Sequence, residues 1–204
     1  MLIKSAAKAA ELYAASVRRA FIRNNHMTTE EKQQKMEALL EAYTHYFDIE
    51  RDVAAGGVTF AALAQFHSKS SKYVLVKSAK LWSIEMNEYV YFAMADHLDA
   101  ASLDILYKAA RDAGLALIKP HSEHMRSCVS LVVVADSIDA KAQKTLRKIR
   151  FRKNFWLALH GWMEFRIAAI DLSTGQLFSN PDGKDVRATL ERNLQPLNKR
   201  GENT

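Results

Sequence analysis

The chain of 204 residues, 49% hydrophobic and 25% charged, holds enough apolar material for one good core and excludes a disordered or fibrous protein. Seven glycines, three prolines and the single cysteine Cys128 exclude a Pro/Gly-rich linker and an internal disulfide; the longest apolar run, Cys128–Ala135, is far too short to span a bilayer. The net charge of +6 is local: Lys141, Lys144, Arg147, Lys148, Arg150, Arg152 and Lys153 follow one another with no acid between Asp139 and Glu164, and without them 22 basic residues face 23 acids.

Ala7, Ala10, Val17 and Phe21 recur at helical spacing, which predicts a first helix over residues 4–23 ended by Asn24-Asn25. Lys4, Lys8 and Glu11 interrupt any apolar core that a signal peptide would need. Thr28 with Glu31 forms a capping box and predicts a second helix to about Tyr43, with Met36, Leu39, Leu40 and Tyr43 inward. From Tyr46 the period shortens. Phe47 and Ile49, then Val58, Phe60 and Ala62, alternate around Gly56-Gly57 and predict a β-hairpin, with a short helix over 59–65 as the alternative. Tyr73–Val76 and Tyr89–Phe92 read as two further strands.

The hexapeptide Ala95–Ala100 recurs forty residues later as Ala135–Ala140. Each copy follows an apolar strand and precedes a helix, so Asp99 and Asp139 are expected as N-caps, where a carboxylate also meets the positive helix end. Matching Val74–Lys77 with Ala116–Lys119 gives a β-β-α unit present twice. Phe155–His160 with Phe165–Asp171 reads as a third hairpin, followed by a last helix over 184–194. The expected fold is α+β: two N-terminal helices, then a mainly antiparallel sheet built from repeated β-β-α units with helices on one face. It forms one domain over 1–195, helical over 4–44 and sheet-containing over 46–195, with a tail from 196. A reducing, cytoplasmic setting fits the cysteine usage.

The basic stretch is the best candidate for function. In strand geometry Arg150, Arg152, Asn154, Trp156, Ala158 and His160 share a side, and Trp162 extends the row. Guanidinium groups interleaved with indoles track phosphates and stack bases, so Lys144, Arg147, Lys148, Arg150, Arg152, Trp156 and Trp162 are candidate nucleic-acid contacts. A solvated edge guarded by charge is the bland alternative. His121 and His124 could ligate a metal if the fold supplies a third ligand, with His67, His160 and Glu85 as candidates. Cys128, between apolar neighbours, reads as buried and inert. No Gly-rich phosphate loop, nucleophile elbow or paired-cysteine site is present, and no cofactor is expected.

A helix, three strands and a helix resemble the core of restriction-type nucleases, which hold a metal with an acid and a second acid two residues before a lysine. Before Lys77 and Lys80 those positions are Leu75 and Ser78, so Asp48 and Glu50 lack their partner carboxylate. Glu85 and Glu88 would replace it only through rearrangement. The segments Tyr46–Glu50, Tyr73–Lys77, Lys80–Trp82, Asn87–Val90, Ile118–Met125 and Leu159–Trp162 resemble a prokaryotic family of unknown function from about residue 28 onward. That resemblance implies a bacterial or archaeal cytoplasmic protein and transfers no functional residue. Three functions are carried forward: a non-enzymatic module binding nucleic acid or another polyanion through 141–162, a scaffold or homodimer using the N-terminal helix, and a metal-dependent hydrolase. None of them involves a membrane.

Overall fold

The computed structural model describes residues 29–73 and 80–194, with side chains described outside 70–84. The predicted helix over 4–23, Thr28 and the tail from 196 lie outside the described residues. Helix α1 (Thr29–Tyr43) opens with Glu30 and Glu31 in its first turn and buries Lys32, Met36, Leu39, Leu40 and Tyr43, the i, i+4, i+7 spacing of one helical face. Strands β1 (Asp48–Ala55) and β2 (Val58–Tyr73) form the expected hairpin. Gly56 and Gly57 both adopt positive φ, 58° and 78°, as a two-residue hairpin turn of this hand requires. The alternative of a helix over 59–65 falls away.

Strand β3 (Lys80–Leu98) returns antiparallel to β2, and α2 (Ala100–Leu117) carries the chain to β4 (His124–Ile138). Helix α3 (Ala140–Lys148) leads to the short β5 (Arg152–Asn154), then come β6 (Trp162–Asp171), β7 (Gln176–Ser179) and α4 (Lys184–Leu194). The seven described strands form one sheet in the order β1-β2-β3-β4-β6-β5, with β7 also on β6. The fold is α+β and most pairings are antiparallel, but β3–β4 and β4–β6 are parallel. Parallel neighbours need a crossover rather than a tight turn, and α2 and α3 supply it.

Two expectations are corrected. The helices do not share one face. Leu103, Ala109 and Ala110 of α2 and Ala142 and Leu146 of α3 pack on one side of the sheet with Tyr91, Val129, Leu131, Val133 and Phe165. Met36, Leu39 and Leu40 of α1 and Val186, Leu190 and Leu194 of α4 pack on the other, with Val90, Phe92, Val132 and Val134. Nor is a β-β-α unit repeated, because Ala116 and Leu117 end helix α2 and Lys119 follows it without strand structure. The recurring hexapeptides instead lie side by side: Ala95 pairs with Ala135, His97 with Ser137 and Leu98 with Ile138. The forty-residue offset is the register of a parallel pair. Asp99 caps α2 as expected, accepting the Ser102 N–H at 2.7 Å, and that bond holds its carboxyl below the usual carboxylate range. Asp139 occupies the N-cap of α3 without a capping bond and faces His97 at 3.3 Å instead.

At the carboxyl ends of β3 and β4 the buried ammonium of Lys32 meets Asp96, Asp136 at 3.1 Å and the Ala95 carbonyl at 3.4 Å. Burial alone would lower its pKa, but the two carboxylates outweigh burial and raise it above 10.5. The contact ties α1 to two strands. Lys32→Met leaves Asp136 buried without a counter-charge and is expected to lower stability by about 3–5 kcal/mol, read by urea unfolding at pH 7. Because the folded-state pKa is raised, the ion pair's contribution is complete at neutral pH and is lost as pH rises through that value. The gap between wild type and variant therefore narrows in strong alkali.

Candidate functional site

The basic stretch forms one exposed edge of the molecule. Helix α3 buries only Ala142 and Leu146, so Lys141, Lys144, Arg147 and Lys148 face solvent, and Arg150, Arg152 and Lys153 are exposed on and before the edge strand β5. No ion pair joins any of the seven to a described carboxylate. Arg150 donates to the carbonyls of Arg147 and Ile149, and the Arg147 guanidinium lies over Phe178.

The single strand face drawn through residues 150–160 does not form. β5 ends at Asn154, paired with Trp162, and 155–161 is a tight loop. Trp156, Leu157 and Ala158 all have positive φ, 43°, 55° and 69°, a conformation that costs non-glycine residues about 1–2 kcal/mol each. Phe155 N–H to Gly161 O at 2.9 Å and Leu159 N–H to Trp156 O at 3.0 Å close the loop, and the His124 ring holds it through His160 O at 2.7 Å. The loop projects Trp156, 68% exposed, with Leu157 and Leu159, 92% and 66% exposed; the Trp156 ring rests against His160. Trp162 is placed differently. The Arg152 guanidinium covers its ring at 4.5 Å and its Nε1 is buried without a hydrogen-bond partner among the described residues, so of these two indoles Trp156 is the one open to a ligand. Gly161 (φ +74°) sits so close to Met125 O that a Cβ would approach it to 2.2 Å. Gly161→Ala is expected to destabilise by roughly 1–3 kcal/mol, with a lowered thermal midpoint and an altered Trp156 emission.

At the same end of the sheet, on the α2 side, a cleft of about 480 Å³ is lined by Gln65, His67, Glu85, Asn87, Lys119 and His121, among others. Its polar groups form a chain. The Glu123 N–H donates to His121 Nδ1 at 3.2 Å, so His121 carries its proton on Nε2 and donates to Glu85 Oε2 at 3.1 Å. Asn87 Nδ2 donates to Glu85 Oε1 at 3.3 Å, which leaves Asn87 Oδ1 to accept from His67 Nδ1 at 2.7 Å. His67 Nε2 then holds the lone pair, and no described group hydrogen-bonds it. His124, beside His121, uses both ring nitrogens on His160 O and Ser127 Oγ. His121 and His124 gain no third ligand: among the described residues no group of three or more His, Cys, Asp or Glu is arranged to hold a metal. Asp48 and Glu50 are exposed on the outermost strand β1; Lys77 and the Lys80 side chain lie outside the described residues.

On the opposite face Glu88, Cys128 and Glu164 stand in register across β3, β4 and β6. The buried Arg166 donates to Glu164 at 2.6 Å and lies 3.8 Å from Glu88. Burial works against the Glu164 charge, but the Arg166 hydrogen bond and charge prevail and hold its carboxyl below the usual range. Burial raises Glu88, with Arg166 and Arg126 offsetting only part of the effect. Glu88 and Arg166 open on a cavity of about 570 Å³ beneath Tyr43 and Arg192. Cys128 is buried, as its apolar neighbours imply, and desolvation pushes its thiol up to about 12. At pH 8 only about one thiol in ten thousand is ionised at that value, so native protein should resist a thiol-specific disulfide reagent that reacts at once after denaturation.

Of these residues Asn87 gave no signal in the chain, whereas His67, Glu85 and His121 stood out there as possible metal ligands. Nothing in the spacing of His67, Glu85, Asn87 and His121 joins them, because they meet only through β2–β3 pairing and the α2 crossover. Lys184 and Arg187 line a further cleft with Arg147; their place in a helix start after Pro181-Asp182-Gly183 was the available hint.

Residues 31–192 match the family described as Domain of unknown function (DUF8052). The chain belongs to that family. The match spans every described strand and most of α1 and α4, so the sheet, the basic edge and the cleft all lie within the shared domain. No curated protein and no solved structure matches the chain.

Proposed function

We propose that this DUF8052 domain is a binding module for single-stranded nucleic acid, engaged through α3, β5 and the 155–161 loop. One observation carries the reading: seven exposed cations, with no acidic partner among the described residues, lie beside an exposed indole, Trp156, on a loop held in a costly conformation. Clustered cations supply the sequence-independent attraction for phosphates, and an open ring supplies a stacking surface worth about 1–3 kcal/mol per base. Arg150, Arg152 and Lys153 lie at the foot of the loop, so a backbone on β5 would set a base against Trp156. Arg147, with Lys184 and Arg187 across the adjoining cleft, extends the positive surface along α3. Trp162 serves the interface indirectly, by holding the Arg152 guanidinium. A protein-contact reading is supported by Leu157 and Leu159, which a phosphate backbone does not need.

Titration of Trp emission with mixed-sequence oligonucleotides is expected to show quenching that weakens steeply between low and physiological salt. Arg150→Glu with Arg152→Glu should lower affinity by at least tenfold and flatten the salt slope, while Trp156→Ala removes the quenching and leaves most of the slope. Unchanged affinity in the double variant would sink the proposal. Salt-independent self-association lost in Leu157→Ser with Leu159→Ser would instead support the protein-contact reading.

A further inference from the structure

The cleft at the β2–β3 edge lies on the same face and at the same end of the sheet as the Trp156 loop. A row of side chains connects them. The His121 ring is 6.3 Å from that of His124, the His124 ring is 5.7 Å from Phe155, and His124 Nδ1 meets His160 O, whose own ring backs Trp156. From β2 to β5 is four strand spacings, about 19 Å, and single-strand binders hold runs of about 4–16 nucleotides. A strand stacked on Trp156 therefore reaches the cleft.

The groups waiting there suit one reaction. Asn87 fixes the His67 tautomer, with Glu85 and His121 behind it, so His67 Nε2 stands as a proton acceptor of set orientation. Lys119, in the same lining, supplies a positive charge for phosphate oxygens. A base and a cation, with no serine, threonine or cysteine among the lining residues, fit a substrate that carries its own nucleophile. The 2′-hydroxyl of RNA, next to its phosphodiester, is such a group.

We infer that the cleft cleaves single-stranded RNA by transphosphorylation, with His67 as the general base and Lys119 stabilising the charge on phosphorus; the inference rests on the binding reading above. His67 Nε2 takes the 2′-hydroxyl proton as the 2′-oxygen forms a bond to phosphorus. The bond from phosphorus to the 5′-oxygen breaks, and that oxygen leaves with a proton from water. The products are a 2′,3′-cyclic phosphate and a 5′-hydroxyl end, and His67 returns its proton to solvent. No oxidant, reductant or further reactant enters. Asn87 is a positioning residue: it touches His67, not the substrate.

The test uses the full chain, a 5′-fluorescein single-stranded RNA and the DNA of identical sequence, all in excess EDTA. Binding is followed by anisotropy and cleavage by gel, with the new ends identified by mass. The expected result is RNA cut to fragments ending in 2′,3′-cyclic phosphate while the DNA stays whole. His67→Ala and Lys119→Ala each change exposed residues and should keep the wild-type melting temperature, and His67→Ala should keep the RNA affinity as well. General-base and electrostatic contributions of this kind are worth about 10²–10⁴-fold, so the cleavage rate should fall by that factor. Asn87→Ala should lower kcat and leave KM in place. RNA that is bound but stays intact overturns the inference and leaves the binding reading standing. No binding and no cleavage overturns both. Cleavage of DNA at a similar rate, or cleavage undiminished in His67→Ala, overturns it as well.

Discussion

Strand β4 is the constraint on which the rest of the molecule depends. It runs parallel to both neighbours and every residue from Ser127 to Asp136 is buried. A strand in that position needs apolar cover on both faces and crossovers on both sides. Helices α2 and α3 make the crossovers and cover one face; α1 and α4 cover the other. The antiparallel strands β1, β2, β5 and β7 lie outside this frame. The Lys32 contact with Asp96 and Asp136 fastens α1 across the β3–β4 seam, where a carboxylate would otherwise be buried without a counter-charge.

Buried polar groups in this apolar frame are few, and among the described residues most of them are paired. Arg166 with Glu164 and Glu88 occupies the amino-terminal part of the parallel strands on the α1–α4 side. Glu85, Asn87 and His67 form the hydrogen-bonded chain on the α2 side. The exceptions are informative. Among the described residues Ser130 Oγ, Asp136 Oδ1 and Trp162 Nε1 are buried without a partner, and nothing described hydrogen-bonds His67 Nε2 at the end of its chain. Of these, His67 lies in the lining of the cleft at the β2–β3 end of the sheet.

The 155–161 loop holds backbone strain at an exposed position. Three successive residues hold a left-handed conformation without being glycine, a cost that the hairpin hydrogen bonds and the His124–His160 contact offset. The result is a fixed projection carrying an indole and two leucines beside exposed arginines. Such exposure is a burden on solubility unless something docks there.

Composition and spacing were enough to indicate an α+β protein, the inward face of α1, the Gly56-Gly57 hairpin, the Asp99 cap, the burial of Cys128 and the span of α4. These follow from local rules: period, turn chemistry and capping act within a few residues. The family relation was also legible, from short segments scattered along the chain. Placing all helices on one face was an error with a physical cause, since β4 is apolar at both odd and even positions, the pattern of a strand covered on both sides. The forty-residue similarity was legible, but only pairing reveals that it marks parallel register rather than repeated units. Tertiary structure alone decided that residues 155–161 turn instead of extending, that Trp156 is open and Trp162 covered, and that His67, Asn87, Glu85 and His121 meet. The cleft depends on contacts 20 and 36 positions apart, and the loop is held by the His124 ring 36 positions before it; no local periodicity encodes such pairings.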